Sequence, residues 1–261
     1  MGVAAVAAVR PTAVPVPARR RPAPDYDHPM IKGVMFDFSG TLLRVESTQE
    51  WLAAALAETG VPSTEEEFGG TARRLTEYGA LPGGLSPRHV PAHLETLWDR
   101  RDISAEQHRA AYCGLIHAAG VTDPELVRAL YDRHMAPAAW RPYPDTEPTL
   151  RALRRRGLPV AVVSNIGWDL RPIFRAHGLD ELVDAYVLSF ELGVQKPDPV
   201  IFQAACDRLG LAPADVLMVG DSREADGGAR ALGCPVHFVD HLPVDRRPDG
   251  LTPILDLLGP A

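Results

Sequence analysis

Val34-Met35-Phe36-Asp37-Phe38-Ser39-Gly40-Thr41 is the stretch from which the rest of the chain can be read. An apolar run without alternation ends abruptly in an aspartate. Such a run suits a strand buried on both faces. The same layout recurs three times: Val160-Ala161-Val162-Val163 into Ser164-Asn165, Val216-Leu217-Met218-Val219 into Gly220-Asp221, and Val236-His237-Phe238-Val239 into Asp240. A fifth run, residues 185–190, leads toward Lys196.

Helical patterns separate the later runs. Residues 146–156 carry Leu150 and Leu153 and stop at Gly157; residues 169–177 stop at Gly178; residues 223–232 stop at Gly233. Asp198-Pro199 places an acidic N-cap before a proline and opens a helix that ends at Gly210. Glycine just past a helix end is the expected left-handed cap. Strand and helix alternating in this way predict an α/β fold with a doubly wound, Rossmann-like parallel sheet.

Residues 44–140 break the alternation. They show no clear strand and read as helices over 48–59, 64–78, 89–101, 105–119 and 124–134. Ser47 with Glu50 three residues on forms a capping box for the first. The expected organisation is a core of residues 30–43 and 141–261, with an inserted α-helical cap over 44–140. Residues 1–29, with six prolines and no amphipathic period, read as a disordered tail. Their apolar part lacks a preceding positive segment, which disfavours a secretory signal.

Bulk properties narrow the function classes. The composition, 46% hydrophobic and 23% charged, is that of a globular protein able to bury a core. A net charge of −7 argues against nucleic-acid binding, which needs a basic stripe to displace counterions from phosphates. No apolar run is long enough for a membrane helix. Cys113, Cys206 and Cys234 are odd in number and widely spaced, so they predict reduced thiols and a cytoplasmic protein. A small-molecule substrate is the expected partner; oligomeric state is not legible.

In a doubly wound sheet, ligands bind beyond the carboxyl ends of the strands. The residues gathered there would include Asp37, Ser164, Lys196 and Asp221. Taken singly, each has an ordinary reading: a turn, a helix cap, a solvated surface lysine. Together, in this order, they resemble the four motifs of the haloacid dehalogenase superfamily. Asp37-Phe38-Ser39-Gly40-Thr41 resembles the first, Val163-Ser164-Asn165 the second, Gln195-Lys196-Pro197-Asp198-Pro199 the third, and Gly220-Asp221-Ser222-Arg223-Glu224-Ala225-Asp226 the fourth. The resemblance covers residue 31 to the C-terminus, and the helical insert is similar to that family's first-type cap.

The resemblance implies a hydrolase with Asp37 as nucleophile, most naturally a phosphatase of small phosphate esters. Mg²⁺ would offset charge repulsion between a carboxylate and a phosphoryl group. Its implied ligands are the Asp37 side chain, the Ser39 backbone carbonyl and Asp221, with Asp226 holding a metal-bound water. Ser164, Asn165 and Lys196 would bind the transferred group, Lys196 as a point charge. Thr41 would orient Asp37, and Asp198 serves only as a helix cap.

Ser39 departs from the pattern. Phosphatases of the family carry a second aspartate there, which protonates the leaving oxygen and then activates water. General acid–base catalysis of this kind contributes about 10²–10⁴-fold. Three readings stay open: a phosphatase acting on a good leaving group or using an acid from the cap, a dehalogenase whose halide leaves unprotonated, or a phosphate-ligand-binding module of low activity. Carbon–phosphorus cleavage through a cap lysine is disfavoured, because Lys32 and Lys196 are the only lysines. The cap histidines His89, His93, His108, His117 and His134 read as packing or surface residues, Arg73 and Arg74 as solvated, and Trp51, Trp98 and Tyr112 as cap core.

Overall fold

The computed structural model describes residues 31–258; the expectation for residues 1–29 lies outside them. In chain order the strands are β1 (Gly33–Phe36), β2 (Leu43–Val45), β3 (Trp140–Pro142), β4 (Val160–Ser164), β5 (Ala185–Leu188), β6 (Val216–Gly220) and β7 (Val236–Phe238). The α-helices are α1 (Thr48–Thr59), α2 (Glu65–Glu77), α3 (Glu95–Asp99), α4 (Ala105–Ala118), α5 (Pro124–Arg133), α6 (Thr146–Arg155), α7 (Arg171–Ala176), α8 (Ser189–Leu192), α9 (Pro199–Leu209) and α10 (Ile254–Leu257).

Five strands form one parallel sheet in the order β5-β4-β1-β6-β7. The expected fold class is the one observed. Alternate residues of the three central strands enter two separate cores. Val34, Phe36, Val160, Val162, Leu217 and Val219 face α6 and α7. Met35, Ala161, Val163, Val216 and Met218 face Ile201, Phe202, Ala205 and Cys206 of α9. Burial on both faces explains why these strands lack a polar alternation. Phe36 stands level with Val162 on one side and Val219 on the other. The residues that follow these positions therefore emerge together at one edge of the sheet, with β1 at the point where the winding reverses.

The insert between β2 and β3 is helical, as expected, with one exception. Leu43–Val45 pairs antiparallel with Trp140–Pro142, Val45 lying opposite Trp140. The expected division at 43/44 and 140/141 falls inside this ribbon, whose three-residue strands are too short to leave a period. Glu46 and Arg133 close the base of the insert through two hydrogen bonds of 2.7 and 2.6 Å. The indole of Trp51 donates to the Leu130 carbonyl, fastening α1 to α5.

Two predicted helices are shorter or tighter than expected. Residues 89–101 hold only a 3₁₀ turn, Ala92–Leu94, and the five-residue α3, because Pro91 interrupts the amide donors. Residues 223–232 form a 3₁₀ helix over Asp226–Leu232, in keeping with the poor helix propensity of Gly227-Gly228. The capping box at Ser47 and Glu50 and the Asp198 N-cap are both present.

Candidate active site

Asp37 follows β1, and its amide donates to the Val219 carbonyl at 2.9 Å, so the backbone at the nucleophile position continues the sheet. Phe38 turns the other way. It is fully buried between Trp140 and Phe174, with ring centroids 4.3 and 5.8 Å away. Burying a phenylalanine contributes about 1.5–3 kcal/mol, which anchors the turn beyond Asp37. Gly40 completes that turn at φ +83°, where an L side chain is strained. A Cβ there would run into the His241 ring and the Asp221 carboxylate.

Asp37, Asp221 and Asp226 converge on one point, with one oxygen from each within 4.8 Å of the others. Lys196 stands among them, and its ammonium donates to Asp37 Oδ1 and Asp226 Oδ1, each at 2.6 Å. Lys196 and Asp226 are almost wholly buried. Burial pushes the Asp37 carboxyl up to about 7; Lys196 opposes the shift, and Asp226 and Asp221 reinforce it. Asp226 and Asp37 hold the Lys196 ammonium well above its ordinary range against its burial. One ammonium against three carboxylates leaves an excess of negative charge. Hard oxygen donors in that number suit a divalent cation such as Mg²⁺.

The remaining sequence-predicted residues have defined places. Thr41 Oγ1 donates to Asp37 Oδ2 at 3.4 Å, a long contact. Ser164, buried at the end of β4, lines the same cavity. Asn165, read as a substrate ligand, lines the cavity over Asp37 and also holds Lys196. Its Oδ1 accepts from the Lys196 amide at 2.6 Å and its Nδ2 donates to the Lys196 carbonyl at 2.9 Å. With both polar atoms on the main chain of one residue, the Asn165 side chain holds the lysine backbone. The Ser39 hydroxyl donates at 3.0 Å to the carbonyl of Gly83 in the insert. Asp226 Oδ2 accepts the Ser222 amide at 2.9 Å, which fixes its carboxylate.

A cavity of about 250 Å³ lies over Asp37. Its floor is Asp37, Ser164, Lys196, Asp221 and Asp226; its roof comes from the insert, through residues 81–86 and Trp98, Arg101, Asp102 and Tyr112. Trp98 and Tyr112 were expected as cap core; both border the cavity, while Trp51 is core. Arg101 lies over the Trp98 ring at 3.9 Å and near the Asp102 carboxylate at 3.4 Å.

His241 was missed by the sequence reading. Its Nδ1 meets Asp221 Oδ2 and its Nε2 meets Arg44, so it bridges the carboxylate cluster to the first residue of the predicted cap. The signal was available: Asp240-His241 is the polar end of the fourth apolar run, and the reading stopped one residue early.

A family model, haloacid dehalogenase-like hydrolase, matches residues 31–233. The chain belongs to the haloacid dehalogenase-like hydrolases. Among its relatives is the haloacid dehalogenase-like hydrolase domain-containing protein 3 of Bos taurus, 40% identical over 45% of this chain and 49% of that protein, so the match spans about half the relative's length. Longer matches divide between chemistries. The glyceraldehyde 3-phosphate phosphatase of Methanopyrus kandleri is 32% identical over 78% of this chain and 82% of its own. The (S)-2-haloacid dehalogenase 4A of Burkholderia cepacia is 31% identical over 78% and 80%. Membership in the haloacid dehalogenase-like hydrolases thus leaves the leaving group open. No helix among the described residues is long and apolar enough to cross a membrane.

Proposed function

We propose that the protein is a Mg²⁺-dependent phosphatase of small phosphate esters, with Asp37 as nucleophile and the helical insert as its cap. The observation that carries this reading is the convergence of Asp37, Asp221 and Asp226 around Lys196. Halide displacement needs one carboxylate as nucleophile and at most one more to activate water against the ester that forms; a third beside them has no such role. Phosphoryl transfer has a use for it, because a cation held there offsets the repulsion between Asp37 and the incoming anion.

Asp37, Asp221 and the Ser39 carbonyl would hold Mg²⁺, with Asp226 as a further partner through water. The bound ion polarises the phosphoryl oxygens and neutralises part of their charge. The chain's own residues do the rest. A carboxylate oxygen of Asp37 forms a bond to phosphorus as the ester oxygen departs with the bonding electrons. Water then attacks the aspartyl-phosphate, releasing inorganic phosphate and restoring Asp37. Lys196 opposes the upward shift that burial imposes on Asp37 and presents positive charge to the transferred group, with Ser164 beside it. Asn165 fixes Lys196 through its backbone. Closure of the cap would exclude bulk water. The three thiols, none of them in a disulfide, fit a cytoplasmic setting.

Ser39 decides the kind of ester. With no carboxyl group at that position, the leaving oxygen departs with little protonation from the core. The best substrates are therefore esters whose leaving group is already stable as an anion. In Mg²⁺, kcat/KM for p-nitrophenyl phosphate should exceed that for a simple alkyl phosphate by at least about 10²-fold, the span of a missing general acid. Equal rates on the two would contradict this use of Ser39.

A dehalogenase is the second reading, favoured by the same absence of a leaving-group acid at Ser39. Halide release from a 2-haloacid in EDTA, without phosphate release from any ester, would select it.

A further inference from the structure

The segment that follows the family-matched residues returns to the nucleophile loop. Arg247 is 4% exposed. Its Nη1 donates to the Gly40 carbonyl at 2.6 Å and to the Asp240 carbonyl at 3.2 Å, and its Nη2 donates to the Thr41 carbonyl. No carboxylate ion-pairs with it among the described residues. The guanidinium carbon lies over Tyr143, 3.2 Å from the ring centroid. A Cβ at Gly250 would sit 2.7 Å from Arg247 Cδ, so that glycine leaves room for the arginine stem. The segment is tied down at both ends. Tyr143 donates its hydroxyl to the Leu242 carbonyl at 2.6 Å, and Asp145 Oδ2 accepts from the amides of Leu251 at 2.5 Å and Thr252 at 2.9 Å.

Burying a guanidinium without an opposing carboxylate is costly unless its donors are well used. Here both Nη atoms are used, on two successive carbonyls of one loop and on the Asp240 carbonyl, while the buried Nε has no partner. A planar fork meets this arrangement better than an ammonium, which is a point donor. Asp37 lies three residues before the first of those carbonyls. Between them stands Ser39, whose own carbonyl would face the metal.

We propose that Arg247 is a positioning residue: by clamping the Gly40 and Thr41 carbonyls from beneath, it holds the 37–43 loop in the shape that aims Asp37 and the Ser39 carbonyl into the cavity. The consequence for catalysis rests on Asp37 being the reacting group, as proposed above; the clamp itself does not. Two readouts separate the two. Hydrogen exchange reads the loop directly, since its amides are bonded within the turn: Gly40 to the Leu43 carbonyl at 2.8 Å, and Leu42 and Leu43 to the Phe38 carbonyl at 3.0 and 3.1 Å. Phosphate release reads the reaction.

The test compares the full chain with Arg247→Gln and Arg247→Lys. In Arg247→Gln, amides 40–43 should exchange at least about 10-fold faster while those of β4 and β6 keep their protection. Arg247→Lys, which keeps the charge and loses the fork, should fall between. It also serves as the deciding variant if the glutamine form does not fold. With p-nitrophenyl phosphate, kcat should fall and KM hold steady, and Mg²⁺ affinity by calorimetry should weaken. Faster exchange spread evenly over loop and sheet, or a loop that exchanges as in the parent, would overturn the proposal and leave Arg247 a packing residue. A parent protein that releases no phosphate, combined with faster loop exchange in the variants, would sustain the clamp and remove the phosphatase reading.

Discussion

Two groups of buried titratable side chains lie near the same cavity, and the fold treats them in opposite ways. Below it, the Lys196 ammonium keeps its charge, held above its ordinary range by the Asp226 and Asp37 carboxyl groups, to each of which it donates at 2.6 Å. Within the insert, His108 and His134 sit 5.5 Å apart among Tyr131, Tyr112 and Trp168. Burial drives the His108 imidazole down to about 3 and holds that of His134 well below its usual range. His108 has one hydrogen-bond partner, the Tyr131 hydroxyl at 2.9 Å, with the Asp102 carboxylate 3.8 Å from its Nε2, and neither ring nitrogen of His134 is hydrogen-bonded. Retained, compensated charge marks the site of chemistry. Discarded charge marks rings used for their shape.

Removing the ammonium from the first group should have the largest effect. Lys196→Met leaves Asp37 and Asp226 facing each other without a counter-ion. Losing one partner of a buried pair costs on the order of 3–5 kcal/mol. Urea unfolding in EDTA should register a loss of that size, and millimolar Mg²⁺ should recover part of it. A variant as stable as the parent in EDTA would mean that the carboxylates are already protonated, and the contrast with the histidines would disappear.

Acid should reveal the second group. A histidine whose folded pKa lies below its unfolded value adds stability that is present above about 6.5 and is lost as the pH falls, because the unfolded chain takes the proton first. For His108, held to about 3, the loss between pH 7 and pH 5 is about 2 kcal/mol. His134 acts in the same direction. His134→Leu should therefore match or exceed the parent in stability at pH 7 and lose less on going to pH 5. Equal acid sensitivity in variant and parent would show that His134 is not the neutral ring described here.

The two groups also differ in how far the sequence revealed them. Asp37, Ser164, Asp221 and Asp226 follow apolar runs, and a parallel sheet brings the ends of such runs together whatever lies between them. That rule is local in sequence, so these residues were legible, as was the departure at Ser39. It says nothing about side-chain pairing at a distance. The pair of hydrogen bonds from the Asn165 side chain to the Lys196 backbone was not legible, because it crosses 31 positions. Arg247 was missed for the same reason, at a separation of 207. The insert was less readable still. Helical period marked Trp98 and Tyr112 as buried, but not that their burial is against a cavity shared with the sheet.

The central claim is that Asp37, working with a divalent cation, transfers a phosphoryl group. The most direct measurement is phosphate release from p-nitrophenyl phosphate by the parent protein and by Asp37→Asn, each in Mg²⁺ and in EDTA. The account predicts release by the parent in Mg²⁺ only, and a fall of more than about 10³-fold in Asp37→Asn, which keeps the shape of the side chain but not its nucleophilic charge. Release that persists in EDTA, or in Asp37→Asn, would contradict it.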